Sequence, residues 1–312
     1  MDIGRLKTLR ELAMRGTMAA VSDAISISPS GVSQQISQLE DEVGIQLVER
    51  RGRGVAITPA GAVLVKHAER LLTVIEEAKS DLEEMKKVVS GELRVTSFPS
   101  IAAALIAPAI REMQLEYPNL VVFADEMEPL VGLASLRSWQ ADIAIIDDLT
   151  LKKDKDRGAF AVFPIYDDRI VAVVHKSHPV ATKVKVMLTD LKDEYWAIDT
   201  RPNTFSEIIF AMCQAKGFTP KIIGRFDAFD VISSMVVNRC AISVLPQIRT
   251  LLHGDELVAR QFSPPIKRTV LIAIRKGEER RPSVKIAVEA LRKHAQNLPR
   301  TNPEDMRAIK FD

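Results

Sequence analysis

The stretch Gly16-Thr17-Met18-Ala19-Ala20-Val21-Ser22-Asp23-Ala24-Ile25-Ser26-Ile27-Ser28-Pro29-Ser30-Gly31-Val32-Ser33-Gln34-Gln35-Ile36-Ser37-Gln38-Leu39 fixes how the rest of the chain is read. Its apolar residues recur at helical spacing: Met18, Val21 and Ile25 in one run, then Val32, Ile36, Leu39 and, just beyond it, Val43. Gly16-Thr17 offers a helix stop followed by an N-cap. Ser28-Pro29 offers an N-cap followed by proline at the first helical position, where no N–H is needed. Only Ser26 and Ile27 intervene, and two helices joined by so short a turn form a helix-turn-helix whose second member can lie in a DNA major groove. Towards the N-terminus, Leu6, Leu9 and Met14 predict one more helix from Ile3.

With Val32, Ile36 and Leu39 turned inward, Ser30, Gln34, Ser37 and Gln38 face outward and Ser33 lies on the flank. Glutamine can bond an adenine edge in two places, and serine suits bases or phosphates. Ser28 and Pro29, at the start of the helix, complete the predicted DNA-contacting set. Overall charge does not help, because 43 basic against 41 acidic residues leave +2. Clustering does: Arg50, Arg51 and Arg53 fall within four positions, interleaved with Gly52 and Gly54. On a glycine-flanked tip, Arg51 and Arg53 can reach phosphates or an A·T-rich minor groove. Arg50 is expected to hold this wing to the helix.

Val55-Ala56-Ile57 reads as a short strand, and Thr58-Pro59 repeats the cap-plus-proline signal. A long helix follows, with Leu64, Ala68, Leu71, Ile75, Ala78, Leu82 and Met85 in alternating steps of four and three. That 3.5-residue repeat is a coiled-coil seam, and it predicts a partner helix from a second copy of the chain. After Ser90-Gly91, strand-like runs such as Leu93-Arg94-Val95-Thr96 alternate with helical ones such as Ile101 to Tyr117. This predicts α/β architecture on parallel sheets, large enough for two lobes. Lys152 to Arg157 reads as a surface loop.

The order and the residues resemble the LysR-type transcriptional regulators. The resemblance is carried by Gly16 to Ala20, Ser28 to Gln34, Ile36, Leu39-Glu40, Gly44, Arg50 and Thr58-Pro59-Ala60-Gly61. It continues through Tyr117-Pro118, Ala141 to Ala144, His178-Pro179 and Leu245-Pro246, so it covers nearly the whole chain. It implies an N-terminal winged helix-turn-helix over 1–58, a coiled-coil linker helix over 59–90, and a two-lobed α/β effector domain of the periplasmic-binding-protein kind. Its lobes are expected at 91–163 plus 268–300 and at 164–267, with a tail at 301–312. The chain departs from the family where Pro29-Ser30 opens the recognition helix and where Arg239 and Cys240 replace paired glycines.

A ligand is expected between the lobes. Ser97, Phe98, Pro99 and Ser100 follow a strand and open a helix, where free N–H groups and hydroxyls favour an anion. The resemblance adds Thr200 and Arg201 after the strand Trp196 to Asp199, and Arg201 could clamp a carboxylate in bidentate fashion. Glu128 and Asp147, at further strand ends, supply the opposite sign, so an amino acid or another carboxylate is the expected effector. The leading reading is a DNA-binding regulator working as a homodimer or homotetramer on promoter DNA. The alternative is a solute-binding protein or enzyme on the same two lobes, with the N-terminal region only a dimerisation element. That alternative needs a signal peptide or a nucleophile, base and orienter, and the sequence assembles neither. Cys213 and Cys240 give no disulfide framework, and His175 and His178, though three apart, straddle the turn at His178-Pro179 and point in different directions, so no metal or cofactor is expected. No apolar run approaches a membrane span, and a cytoplasmic location follows.

Overall fold

The computed structural model describes residues 1–51, 54–85, 89–154, 157–200, 204–252 and 256–298. The expected tail 301–312 lies outside them, as do Arg53 and Arg201. The N-terminal part consists of α1 (Ile3–Arg15), α2 (Met18–Ile25) and α3 (Pro29–Val43), then a hairpin of β1 (Val48–Arg51) and β2 (Gly54–Ile57). Asp2, Thr17 and Ser28 cap the three helices by accepting from Arg5, Ala20 and Gly31 N–H. Leu6, Leu9, Leu12, Val21, Val32, Ile36, Leu39 and Leu47 form one core, each side chain contributing about 1.5–3 kcal/mol by leaving water.

The linker helix α4 (Pro59–Glu84) is 26 residues long, about 39 Å. Its start is locked to the hairpin. Thr58 Oγ1 accepts from Gly61 N at 3.0 Å and donates to the Gln46 carbonyl at 2.9 Å. A Cβ at Gly61 would lie 2.1 Å from the Leu47 carbonyl oxygen, so only glycine lets the helix pass this close.

The remaining elements are β3 (Gly91–Ser97), α5 (Pro99–Ile101), α6 (Ala107–Glu116), β4 (Leu120–Glu126), α7 (Pro129–Arg137), β5 (Ile143–Asp147) and α8 (Asp148–Lys153). Then come β6 (Phe160–His175), β7 (Lys185–Val186), β8 (Tyr195–Asp199), α9 (Thr204–Ala215), β9 (Lys221–Phe226), α10 (Phe229–Val237), β10 (Ser243–Pro246), β11 (Leu257–Arg275) and α11 (Pro282–Gln296). Between α5 and α6, Ala102–Ile106 is π-helical, next to Pro108, whose nitrogen cannot donate back to the preceding turn. Lys152 and Lys153 close α8 and are not part of a loop, because Asp147 caps that helix by accepting from Thr150 N at 2.7 Å.

The sheet of seven strands runs β10-β6-β11-β5-β3-β4, with β7 on β11, and β8-β9 form a separate pair. The expectation of parallel sheets needs correction. β3 is parallel to β4 and β5, β7 to β11, and β8 to β9, but β6, β10 and the β11–β5 contact are antiparallel. The cause is a pair of long strands. β6 and β11 run side by side from Arg275↔Phe160 to Leu257↔His175, passing from one lobe into the other, and the boundaries expected near 163 and 267 fall inside them. Apolar clusters around Leu93, Ile143 and Ile272 fill the first lobe, and clusters around Ala172, Trp196 and Val244 fill the second. Among the described residues no helix is long and apolar enough to cross a membrane.

Candidate nucleic-acid interface and ligand cleft

Ser28, Pro29, Ser30, Ser33, Gln34, Ser37 and Gln38 are all exposed, while Val32, Ile36 and Leu39 bury the opposite side of α3. The neighbouring glutamines are divided. Gln35 accepts a hydrogen bond from the Thr8 hydroxyl of α1, leaving Gln34 to face outward. Glu40 has a role that a solvated helix face does not suggest: Oε1 accepts from Leu47 N at 2.8 Å and Val48 N at 3.1 Å, tying the first wing strand to α3. Arg51 pairs with Gly54 at the hairpin tip, and the side chains of Arg50 and Arg51 lie outside the described residues, as does Arg53 entirely.

The seam of α4 divides in two. Ala68 is fully buried in the N-terminal core and so serves the chain itself, while Leu64 is half-buried against that core. Leu71, Ala78, Leu82 and Met85 are exposed, Met85 to 81%, and Ile75 is half-buried. At 100° per residue, Thr73 lies on the opposite side of the helix from this stripe. There a Cβ on Gly277, which has φ +94°, would lie 2.7 Å from the Thr73 carbonyl oxygen, so α4 and the first lobe are in backbone contact.

Between the lobes a small cavity of about 90 Å³ is lined from the first lobe by Phe98, Pro99, Ser100, Glu128 and Asp147. The second lobe adds Trp196, Phe205, Phe210, Asp227 and Phe229. Ser97 and Thr200 are not in the wall. Ser97 is buried with its hydroxyl directed at the Phe98 carbonyl, 3.4 Å away.

The floor is a charge pair that sequence reading missed. Arg268 Nη2 donates to Ser100 Oγ at 2.8 Å and to Asp168 Oδ2 at 2.8 Å, and Nε donates to the same carboxylate oxygen at 3.1 Å. Asp168 also accepts from Ile248 N at 3.3 Å, and the guanidinium stacks on Phe98 at 4.8 Å. Arg268 and Asp168 are register partners on β11 and β6, so one ion pair joins both long strands to the helix that opens the cleft. Burial lifts the Asp168 carboxyl above its ordinary range against the pull of Arg268, and burial together with Asp168 lifts the Tyr166 phenol. The available signal was a charge of each sign immediately before the apolar runs that start at Ile170 and Thr269. Among the described residues no group of three or more His, Cys, Asp or Glu side chains could hold a metal ion.

Two family patterns match the chain: "Bacterial regulatory helix-turn-helix protein, lysR family" over residues 3–62 and "LysR substrate binding domain" over 86–296. The hydrogen peroxide-inducible genes activator of Dickeya chrysanthemi is 25% identical over 95% of this chain and 96% of its own length. The transcriptional dual regulator GltC of Bacillus subtilis is 24% identical over 91% and 94%. Among solved structures, a full-length OxyR variant from Pseudomonas aeruginosa superposes with a TM-score of 0.63 at 20% identity, covering 94% of this chain and 98% of the other. CbnR in complex with its target DNA gives a TM-score of 0.51 at 20% identity, covering 95% and 100%.

Proposed function

The chain belongs to the LysR family of DNA-binding transcription regulators with an effector-binding domain, and from that premise we propose how its own residues divide the work. Two copies pair along the outward stripe of Leu71, Ile75, Ala78, Leu82 and Met85, and each lays α3 into a major groove. Ser30, Ser33, Gln34, Ser37 and Gln38 meet base edges and nearby phosphates. Ser28 and Pro29 set the helix start against the backbone, and Arg51 and Arg53 hold the flanking phosphates or minor groove. Association of two such dimers on one promoter gives the tetramer. The work is done in the cytoplasm, where promoter DNA is found. The observation that carries this reading is α3 itself: seven polar or small residues exposed together on a helix whose other side is anchored by Val32, Ile36 and Leu39.

A gel-shift titration on the protein's own upstream DNA at several salt concentrations tests it. Affinity should fall steeply with salt, and Arg51→Ala with Arg53→Ala should flatten the log–log slope by about 2, one for each phosphate that is no longer neutralised. Indifference to salt and to both substitutions would refute the assignment.

The effector of this reading is a small amino acid or another compact carboxylate. Glu128 and Asp227 suit an ammonium group, and Arg201 and Arg249 are placed in sequence and cavity wall to meet a carboxylate. The cavity is lined by both lobes, so an effector bound in it touches both. The likeness to peroxide-inducible activators does not by itself bring peroxide chemistry to Cys213, although Cys240 is exposed. Peroxide is attacked by a thiolate, and burial pushes the Cys213 thiol up to about 11. Neither Cys213 nor Cys240 lines the cleft.

A further inference from the structure

We propose a second ligand site, apart from the cleft, where the DNA-binding domain, the linker helix and the first lobe meet; its ligand is a multiply charged organic anion of metabolite size. A cavity of about 540 Å³ lies at this junction. Four cationic side chains face it, Arg10 from α1, Arg70 from α4, and Arg275 and Lys276 at the end of β11, against the single carboxylate of Glu69. Two of these cations are fixed. Arg10 is 5% exposed and donates to the Arg137 carbonyl at 2.8 Å, and Arg275 is 6% exposed and donates to Glu278 at 2.8 Å. The Nε of Arg275 is nevertheless buried with no hydrogen-bond partner among the described residues.

Trp139 forms one wall, and its ring gathers Lys7 at 4.4 Å, Arg10 at 5.2 Å and Arg275 at 5.4 Å from the centroid. Its backbone, at φ +58°, follows the end of α7, where its N–H donates to the Leu136 carbonyl at 3.2 Å and turns the ring into this space. Arg10 is also 3.4 Å from Glu11, and Arg275 is paired with Glu278 and, at 3.3 Å, with Asp142; Arg70 and Lys276 bring further positive charge to the same cavity, and an anion entering it is attracted to that excess. At about 30 Å³ per water-sized group, the space suits a molecule larger than inorganic phosphate. A sugar bisphosphate and a tricarboxylate share the required chemistry. Either would bridge Arg10 and Arg70 to Arg275 and Lys276, and so clamp the reading head and linker against the first lobe.

Calorimetric titration of the full-length protein, without DNA and at constant ionic strength, with fructose 1,6-bisphosphate and separately with citrate tests the site. Saturable binding of either supports it, and the tighter of the two names the headgroup. Arg70→Ala with Lys276→Ala removes two exposed side chains that the fold does not need, and should weaken binding about tenfold or more. Arg111→Ala with Lys285→Ala, an exposed pair elsewhere on the first lobe, and Arg51→Ala with Arg53→Ala on the wing should leave it unchanged. Affinity weaker than about 1 mM for both anions, equal binding by the Arg70/Lys276 variant, or equal weakening by either control pair would overturn the proposal.

Discussion

Raising the pH should loosen the junction beneath the linker helix, through Glu278. This carboxyl is 1% exposed and accepts from Arg275 Nη2 at 2.8 Å, while its other oxygen is buried with no hydrogen-bond partner among the described residues. Burial raises it from 4.5 to about 7, with Asp142 adding to the rise and Arg275 and Arg281 opposing it. The folded chain therefore holds this proton more tightly than the unfolded chain does. The resulting stability is complete below about pH 4.5 and is lost as the pH rises through about 7. At about 1.36 kcal/mol for each tenfold in proton affinity, the interval corresponds to about 3 kcal/mol. Glu278→Gln keeps the shape and the neutral form at every pH, so it should match the parent near pH 5 and exceed its stability by about 3 kcal/mol at pH 8. Urea unfolding at both pH values, followed by tryptophan fluorescence, to which Trp139 beside Arg275 and the buried Trp196 both contribute, measures this. Parallel pH slopes for the two proteins, or a variant weaker than the parent at pH 8, would refute the reasoning.

Gly61→Ala puts a Cβ 2.1 Å from a backbone oxygen and 2.8 Å from Ile57 Cγ2. It should cost the N-terminal domain about 3 kcal/mol and abolish the gel shift while the melting of the two lobes stays in place; wild-type DNA affinity would contradict the close approach. Leu71→Glu with Leu82→Glu places charge on the outward stripe of α4 and should turn dimers into monomers by sedimentation, whereas an unchanged mass would remove this seam as the pairing surface. Asp168→Asn removes the closer of two buried carboxylates facing Arg268, the other being Asp147 at 3.9 Å, and should lower stability by about 2–3 kcal/mol; adding Arg268→Met should restore part of that loss in thermal unfolding.

What was legible in the sequence was what repeats or punctuates. Helical spacing with Thr17, Ser28 and Thr58 as caps placed all three N-terminal helices, the wing and the linker, because each cap acts over three residues and needs no distant partner. The exposed half of the α3 pattern followed from the buried half. The same logic misled at Ala68, where heptad spacing continues although the side chain is buried in its own domain; periodicity tells which side is apolar, not what covers it. The first half of β6 and the start of β11 were invisible, since Pro164, Asp167 and Ser263-Pro264-Pro265 read as loop while the paired strand supplies their order. Arg268 and Asp168 are 100 residues apart, and only register brings them together.

The two buried arginines of β11 connect the ligand cleft to the DNA-reading end. Arg268 holds the cleft floor and Arg275 holds the loop that presses Gly277 on the linker, and the seven residue steps between them along the strand span about 23 Å. A movement of the lobes that strains the Arg268–Asp168 pair therefore acts on the same strand that seats α4. The linker converts it into displacement: with α4 seated on Gly277 at Thr73, a tilt of about 10° acts over about 21 Å back to Pro59 and moves that end by about 4 Å, about one base-pair step along a duplex. Because Gly61 and Ala68 fix that end inside the N-terminal core, α3 must move with it. In the proposed dimer the outward stripe of α4 is held by the partner copy, so there the tilt alters the spacing of the two reading helices and not the structure of either. An effector changes promoter occupancy by this route only to the extent that it binds one spacing more tightly than the other.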